Sequence, residues 1–315
     1  MHTELPAAAQ ARTQALIARA HSSAPVRCAV VHPCDKESLQ GAMDAAAAGF
    51  IQPVLVANRT KLQAVADAAN LNISALEVVA AEHSHAAAEI AAQMAASGQV
   101  HMLMKGSLHT DELLGAIVKN PQLRTARRMS HVFRFEVPLY PKPLLITDAA
   151  INICPDLAEK ADIVQNAIDF ARILGTDCPK VALLAAVETV NPKMPATLDA
   201  AALCKMADRG QITGGLLDGP LAFDNAISPE AVRIKGIVSK VAGDADIVLA
   251  PDLESGNMLA KQLEYLGGAE GAGILLGARV PVVLTSRADG AKARAMSALL
   301  CALVAQHQQS QRQPA

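Results

Sequence analysis

Val26-Arg27-Cys28-Ala29-Val30-Val31 and Pro53-Val54-Leu55-Val56 are two short apolar runs, and between them Glu37 to Ala48 repeats alanine and leucine at helical spacing. Each run is too short for a helix and carries almost no charge, so it reads as a strand buried on both faces. Strand, helix, strand over roughly thirty residues is the βαβ unit, in which a parallel pair needs a crossover to bring the chain back. This stretch therefore predicts an α/β fold.

The alternation extends both ways from there. Leu5 to His21 predicts a leading helix; downstream, Thr60–Ala69, His85–Ala96 and Asp111–Val118 predict helices around strands at Glu77–Ala80 and Val100–Met104. The rhythm then breaks. His131–Val137 and Pro143–Thr147 are close-set strands separated by Pro138, Pro141 and Pro143, an antiparallel excursion that marks passage into a second domain. Beyond it, helices at Leu157–Leu174, Thr197–Asp208, Pro229–Ile237 and Met258–Leu266 alternate with strands at Val181–Val187, Gly214–Leu217 and Ile247–Ala250. Ala272–Leu276 and Val280–Leu284 follow as strands, Ala291–Val304 as a helix, and Gln306–Ala315 as a polar tail expected to fray. The whole reads as two domains of mainly parallel sheet flanked by helices.

A chain of 315 residues with 51% hydrophobic content buries a large core, and its net charge of −2 supplies no basic patch for nucleic acid or a membrane surface. With no Trp, two Tyr and five Phe, base stacking is poorly provided for, so nucleic acid is not an expected partner. The six cysteines (Cys28, Cys34, Cys154, Cys178, Cys204 and Cys301) show neither a C-x-x-C pair nor zinc-ligand spacing, and read as reduced thiols. Met1–Ser23 carries Glu4, Arg12 and Arg19 and lacks the apolar centre of a secretory signal, and no window has the length of a membrane span. Cytoplasm is the expected compartment.

Ligands of parallel sheets gather at the carboxyl ends of strands, and polar residues collect there. Lys105-Gly106-Ser107 follows one strand, with Gly106 able to let backbone approach a ligand; the reading stays open between a turn and a phosphate contact, since G-x-x-x-x-G-K-[ST] is missing. Asp148, Asn191-Pro192-Lys193 and Asp218-Gly219-Pro220 follow others. Lys193 also reads as a surface lysine, and Asp218-Gly219 as a turn. His131 stands out among histidines that otherwise lack ligand spacing. Gly271-x-Gly273-x-x-x-Gly277 misses the dinucleotide fingerprint by one residue. Ser286 and Arg287 sit where a strand hands over to a helix, a natural anion site; Ser286-x-x-Asp289 equally fits a capping box.

Six motifs in order carry a resemblance: Met104-Lys105-Gly106, Ser130-His131-Val132, Ile146-Thr147-Asp148-Ala149-Ala150-Ile151-Asn152, Val187-Glu188 through Asn191-Pro192-Lys193-Met194-Pro195-x-Thr197, Gly215-x-x-Asp218-Gly219-Pro220, and Leu284-Thr285-Ser286-Arg287-Ala288-Asp289. Together, from about Val26 to Val304, they resemble the phosphate acetyl/butyryl transferases. Asp218 to Ala226 and Asp252 to Leu263 look like the butyryl-type branch, and like the transferase part of proteins that join it to a hydratase, a module missing here.

The resemblance implies reversible transfer of a short acyl group between coenzyme A and inorganic phosphate, by direct attack in a ternary complex. It implies an isocitrate/isopropylmalate dehydrogenase-like fold, usually a homodimer, with residues 1–137 plus 277–315 forming one domain, 138–276 the other, and the active site in the cleft. Acyl-CoA and phosphate are then the partners, with no tightly bound cofactor and no metal. Ser286 and Arg287 match the family's serine–arginine pair on the acyl phosphate. Lys105, Gly106, Ser107, His131, Asp148, Asn191, Lys193, Asp218 and Gly219 become substrate contacts, while Lys105, Lys193 or the cluster Arg124, Arg127 and Arg128 suit the phosphates of coenzyme A. For the thiol's base the match weakens: acetyl-type relatives place an aspartate where this chain has Lys292 and Ala293, and Asp289 is the nearest substitute, as base or as cap. Two rival functions share the architecture: a metal- and nicotinamide-dependent decarboxylating dehydrogenase, and a noncatalytic acyl-CoA or phosphate-binding regulator.

Overall fold

The structure, a computed structural model, describes residues 5–284 and 290–312. In chain order its first run is α1 (Ala7–His21), β1 (Val26–Val31), α2 (Lys36–Ala47), β2 (Ile51–Ala57), α3 (Arg59–Ala68), β3 (Glu77–Ala80), α4 (Ser84–Ala96), β4 (Met102–Lys105) and α5 (Thr110–Lys119). Then come β5 (Ser130–Glu136), β6 (Leu144–Thr147), α6 (Leu157–Ile173), β7 (Lys180–Leu184), α7 (Pro195–Asp208), β8 (Leu216–Leu221), α8 (Phe223–Ile227), α9 (Pro229–Lys235), β9 (Ile247–Leu249) and α10 (Leu253–Tyr265). The chain closes with β10 (Glu270–Leu276), β11 (Val282–Val283) and α11 (Ala291–Arg312).

Two compact units result, one from residues 13–126 and 272–315, the other from 1–12 and 127–271. They divide ahead of the proline-rich stretch, because β5 pairs antiparallel with β6, Val132 opposite Thr147, and so belongs to the same body.

In the first unit the neighbours run β3-β2-β1-β4-β11-β10. β1 lies parallel between β2 and β4, β4 is parallel to β11, and β10 closes antiparallel on β11. Val30, Val31, Leu55, Leu103 and Met104 are fully buried, as strands covered on both faces must be. The covering helices are rich in alanine, which lets them approach closely: Ala87, Ala88, Ala91 and Ala92 of α4 are all buried. Strand order reverses at β1, which pairs parallel with β2 on one side and with β4 on the other, so loops diverge at the carboxyl ends of β1 and β4.

In the second unit β6, β9, β7 and β8 are parallel neighbours, with β5 antiparallel at β6. Capping fixes where its helices begin. Asp156 and Glu159 form a reciprocal capping box at α6, and the Asp252 carboxylate accepts from Ser255 N at α10. Glu136, almost fully buried, holds the buried Arg134 at 2.6 Å and Arg12 of α1 at 2.7 Å.

Several elements depart from the sequence reading. β8 runs through Asp218-Gly219-Pro220 to Leu221 where a turn was expected, because the segment pairs parallel with β7, Asp218 opposite Ala182 and Leu221 opposite Leu184; Gly219 fits there since a Cβ would stand 2.7 Å from Leu183 Cβ. α7 starts at Pro195, two residues ahead of the expected start at Thr197. The tail does not fray at Gln306: α11 continues to Arg312, and the Gln306 amide donates to Ala20 O at 3.0 Å. β7 stops at Leu184, leaving Val187 to Asn191 as loop.

Candidate active site

At the carboxyl edge of the first unit, β1 and β4 end in a locked pair of loops. Gly106 N donates to Val31 O, and Ser107 N and Oγ both donate to His32 O at 2.9 Å. Ser107 Oγ in turn accepts from Cys34 N at 3.1 Å. Gly106 is obligatory here: a Cβ would lie 2.4 Å from Val31 O and 2.6 Å from His32 O. The sequence reading of Gly106 as a point of close backbone approach thus has a concrete partner, the end of β1. His32, held at φ +53, is nearly buried with its Nδ1 3.7 Å from Cys34 Sγ. Burial lowers the His32 pKa and raises that of Cys34, so both rest uncharged at neutral pH. Lys105 is half-buried at the last position of β4.

At the carboxyl edge of the second unit, Asp148 follows β6 and its carboxylate organises the loop. Oδ1 accepts from Ala150 N and Ile151 N at 2.9 and 3.0 Å; Oδ2 accepts from His131 N at 3.1 Å, from Asn152 N at 3.4 Å and from Asn152 Nδ2 at 2.6 Å. Asn152 is itself braced, its Oδ1 accepting from Arg128 Nε at 2.8 Å. α10 clamps the same loop: Asn257 Nδ2 donates to Ala149 O at 3.1 Å, and a Cβ on Gly256 would stand 2.5 Å from Asp148 O.

His131 lies beside this cage. Its ring is 1% exposed, sits edge-on to Phe133 with centroids 4.5 Å apart, and its Nδ1 has no hydrogen-bond partner among the described residues. Burial pulls its pKa down to about 4 while the neighbouring Asp148 carboxylate pulls it up, so the imidazole is neutral at neutral pH.

The remaining candidates are more scattered. Asn191 Oδ1 accepts from Lys193 N at 3.0 Å, a local turn ahead of α7 that leaves Lys193 exposed, and Asn191 N donates to Thr197 Oγ1 at 2.9 Å. Asp218 Oδ1 accepts from its neighbour Gly219 N at 2.8 Å, within β8 and opposite Ala182. Among the described residues no hydrogen bond joins Asp218, Asn191 or Lys193 to the Asp148 cage. In the basic cluster, Arg127 pairs with Asp169 and Arg128 with Glu159, so both carry acidic partners. Ser286, Arg287 and Asp289 lie outside the described residues. Sequence reasoning missed Asn166, whose amide donates to the buried Ser130 Oγ at 2.9 Å, and the Arg12–Glu136–Arg134 set. Both depend on partners far apart in the chain, which no local spacing reveals.

The order of polar strand ends, Lys105-Gly106-Ser107, then Ser130-His131, then Asp148 to Asn152, matches a known pattern. The sequence model of the Phosphate acetyl/butaryl transferase family fits residues 80–302. The chain belongs to this family. It is 56% identical over 291 residues to a phosphate acetyltransferase of Rhizobium meliloti, covering 92% of each chain. It is 41% identical to a phosphate butyryltransferase of Clostridium acetobutylicum, covering 92% of this chain and 97% of that one. Among solved structures, a branched-chain phosphotransacylase from Enterococcus faecalis V583 superposes with a TM-score of 0.79 at 32% identity, over 89% of this chain and 99% of the other. The family's enzymes are acyltransferases, and this chain is one of them. Relatives named for acetyl transfer stand nearer than those named for butyryl transfer, although the Asp218–Ala226 and Asp252–Leu263 phrases had suggested the butyryl-type branch.

Proposed function

We propose that this enzyme transfers an acetyl group, and longer short-chain acyl groups more slowly, between coenzyme A and inorganic phosphate, giving the acyl phosphate. The observation that carries the reading is 56% identity over 92% of both chains to a protein named phosphate acetyltransferase. In the direction of thioester synthesis the coenzyme A thiol attacks the acyl carbonyl directly in a ternary complex, the bond from the acyl carbon to the bridging phosphate oxygen breaks, and phosphate leaves with the electron pair. Ser286 donates a hydrogen bond to the carbonyl oxygen as charge builds there, and Arg287 neutralises the departing phosphate. Asp289, the nearest carboxylate in sequence to that pair, serves the thiol as its base. Lys105, Gly106, Ser107, His131, Asp148, Asn191, Lys193, Asp218 and Gly219 contact substrate, with no resident cofactor or metal.

The chain is proposed to work in the cytoplasm, with an isocitrate/isopropylmalate dehydrogenase-like fold. Among the described residues, no helix is long and apolar enough to cross a membrane. A homodimer is proposed through the second unit, which exposes Met258 and Tyr265 of α10, Leu266 just after it, Ile234 of α9 and Val238. Light scattering after gel filtration should return twice the chain mass. Acyl phosphate formed from acetyl-, propionyl- and butyryl-CoA with phosphate, trapped as hydroxamate, should rank acetyl first; butyryl first would reverse the assignment of chain length.

A further inference from the structure

We propose that Cys34 is a site of covalent acylation, its thiol taking the acyl group of an acyl phosphate while His32 takes the thiol proton. The acyl-transfer reading above supplies only the acyl donor; the site itself stands on geometry within the first unit. A nucleophile and a base within hydrogen-bond reach are the signature of an activated side chain. Cys34 Sγ lies 3.7 Å from His32 Nδ1, inside the range of a hydrogen bond to sulfur. Both residues are held in place: Cys34 N donates to Ser107 Oγ at 3.1 Å and to His32 O at 2.8 Å, and Ser107 Oγ donates to His32 O at 2.9 Å. His32 is 9% exposed, whereas Cys34 keeps part of its surface in solvent, so a small electrophile meets the thiol without displacing a loop.

The charges around the pair suit this donor. Lys61, in the first turn of α3, acts on both His32 and Cys34, and its ammonium favours an anion beside them, which a phosphate-bearing acyl donor brings. Cys34 also directly precedes Asp35, the cap of α2, and so sits at the positive end of that helix, where developing negative charge is favoured. Asp35 disfavours a standing thiolate, while Asp35 and Glu112 favour the imidazolium, so the proton passes from sulfur to ring during the attack and not before it. The step balances: S–H breaks and Nδ1–H forms, S–C forms, the bond from the acyl carbon to the bridging phosphate oxygen breaks, and phosphate leaves with the electron pair. The imidazolium then gives its proton to solvent, and Cys34 is left as a thioester. Cys154 and Cys178 are more exposed than Cys34, and among the described residues no hydrogen bond joins either thiol to a base. They supply exposure without activation.

Acetyl phosphate is the probe. The full-length enzyme, incubated with it at pH 7 without coenzyme A, should gain a hydroxylamine-labile acetyl group on the peptide that carries Cys34. That label should appear about tenfold or more faster than on the peptides that carry Cys154 and Cys178. No label on Cys34, or labelling at the pace of the other two, overturns the proposal. His32→Asn removes the base and keeps a residue suited to the left-handed backbone at that position, φ +53. Folded His32→Asn protein, checked by circular dichroism, should label Cys34 about a hundredfold more slowly and Cys154 and Cys178 as before. Cys34 labelled equally fast in this variant and the wild type also overturns the proposal, and the comparison of the three cysteines in the wild type stands whether or not the variant folds. A wild-type protein that exchanges no acyl group between coenzyme A and phosphate would instead overturn the reading above, while its labelling by acetyl phosphate still decides the site.

Discussion

The side-chain amide of Asn152 donates to Asp148 Oδ2 at 2.6 Å, the shortest of the five hydrogen bonds that the carboxylate accepts. Removing the acceptor strands several donors at once, His131 N and Asn152 Nδ2 among those that are buried. Asp148→Ala should lower stability by about 3 kcal/mol or more, since each stranded buried donor costs about 1–3 kcal/mol. Urea unfolding checks this; a loss within experimental error would show that the cage does not order the loop.

Two glycines should respond in opposite directions. Gly106→Ala drives a Cβ against the carbonyls of Val31 and His32, fixed backbone atoms at the end of β1. It should destabilise by about 2 kcal/mol or more and depress activity with it. Gly115→Ala, inside α5 with nothing within 4 Å of the new Cβ, should stabilise by about 0.5–1 kcal/mol. Thermal melts of the two variants decide both.

Burial of His131 makes stability depend on pH. Its folded pKa, about 4, lies below the unfolded value near 6.5. The unfolded chain therefore binds more protons between those values. The contribution is fully present above about pH 6.5 and is lost as pH falls toward 4. His131→Asn should reduce proton uptake on unfolding in that window by up to about one proton, seen as a shallower dependence of unfolding free energy on pH. An unchanged slope would mean that the ring is protonated in the folded enzyme.

Arg287→Ala should lower kcat/KM by at least about a hundredfold, the expected loss for a charged contact of roughly 3 kcal/mol made in the transition state. Steady-state rates with acetyl phosphate check it. An unimpaired variant would remove Arg287 from the reaction.

Much of the fold was legible because period and length carry it. Val26–Val31, Glu77–Ala80 and the antiparallel pair at Ser130–Glu136 and Leu144–Thr147 fall within a residue or so of the strands read from their apolar runs. β8 was not legible: Asp218-Gly219-Pro220 has turn chemistry, and it is pairing with β7, distant in the chain, that holds it extended. Nor was the end of α11, where Gln306 gains a partner on Ala20, almost the whole chain away. At the site, His131 and Asp148 were singled out separately, by type and position. That Asp148 accepts from the His131 amide across a β-hairpin follows from the register of β5 on β6, which no local spacing encodes.

Acyl exchange between coenzyme A and phosphate is read as loss of thioester absorbance on mixing the enzyme with acetyl-CoA. Consumption should require inorganic phosphate, scale with enzyme and yield acetyl phosphate. Absence of phosphate-dependent consumption across acetyl-, propionyl- and butyryl-CoA would contradict it.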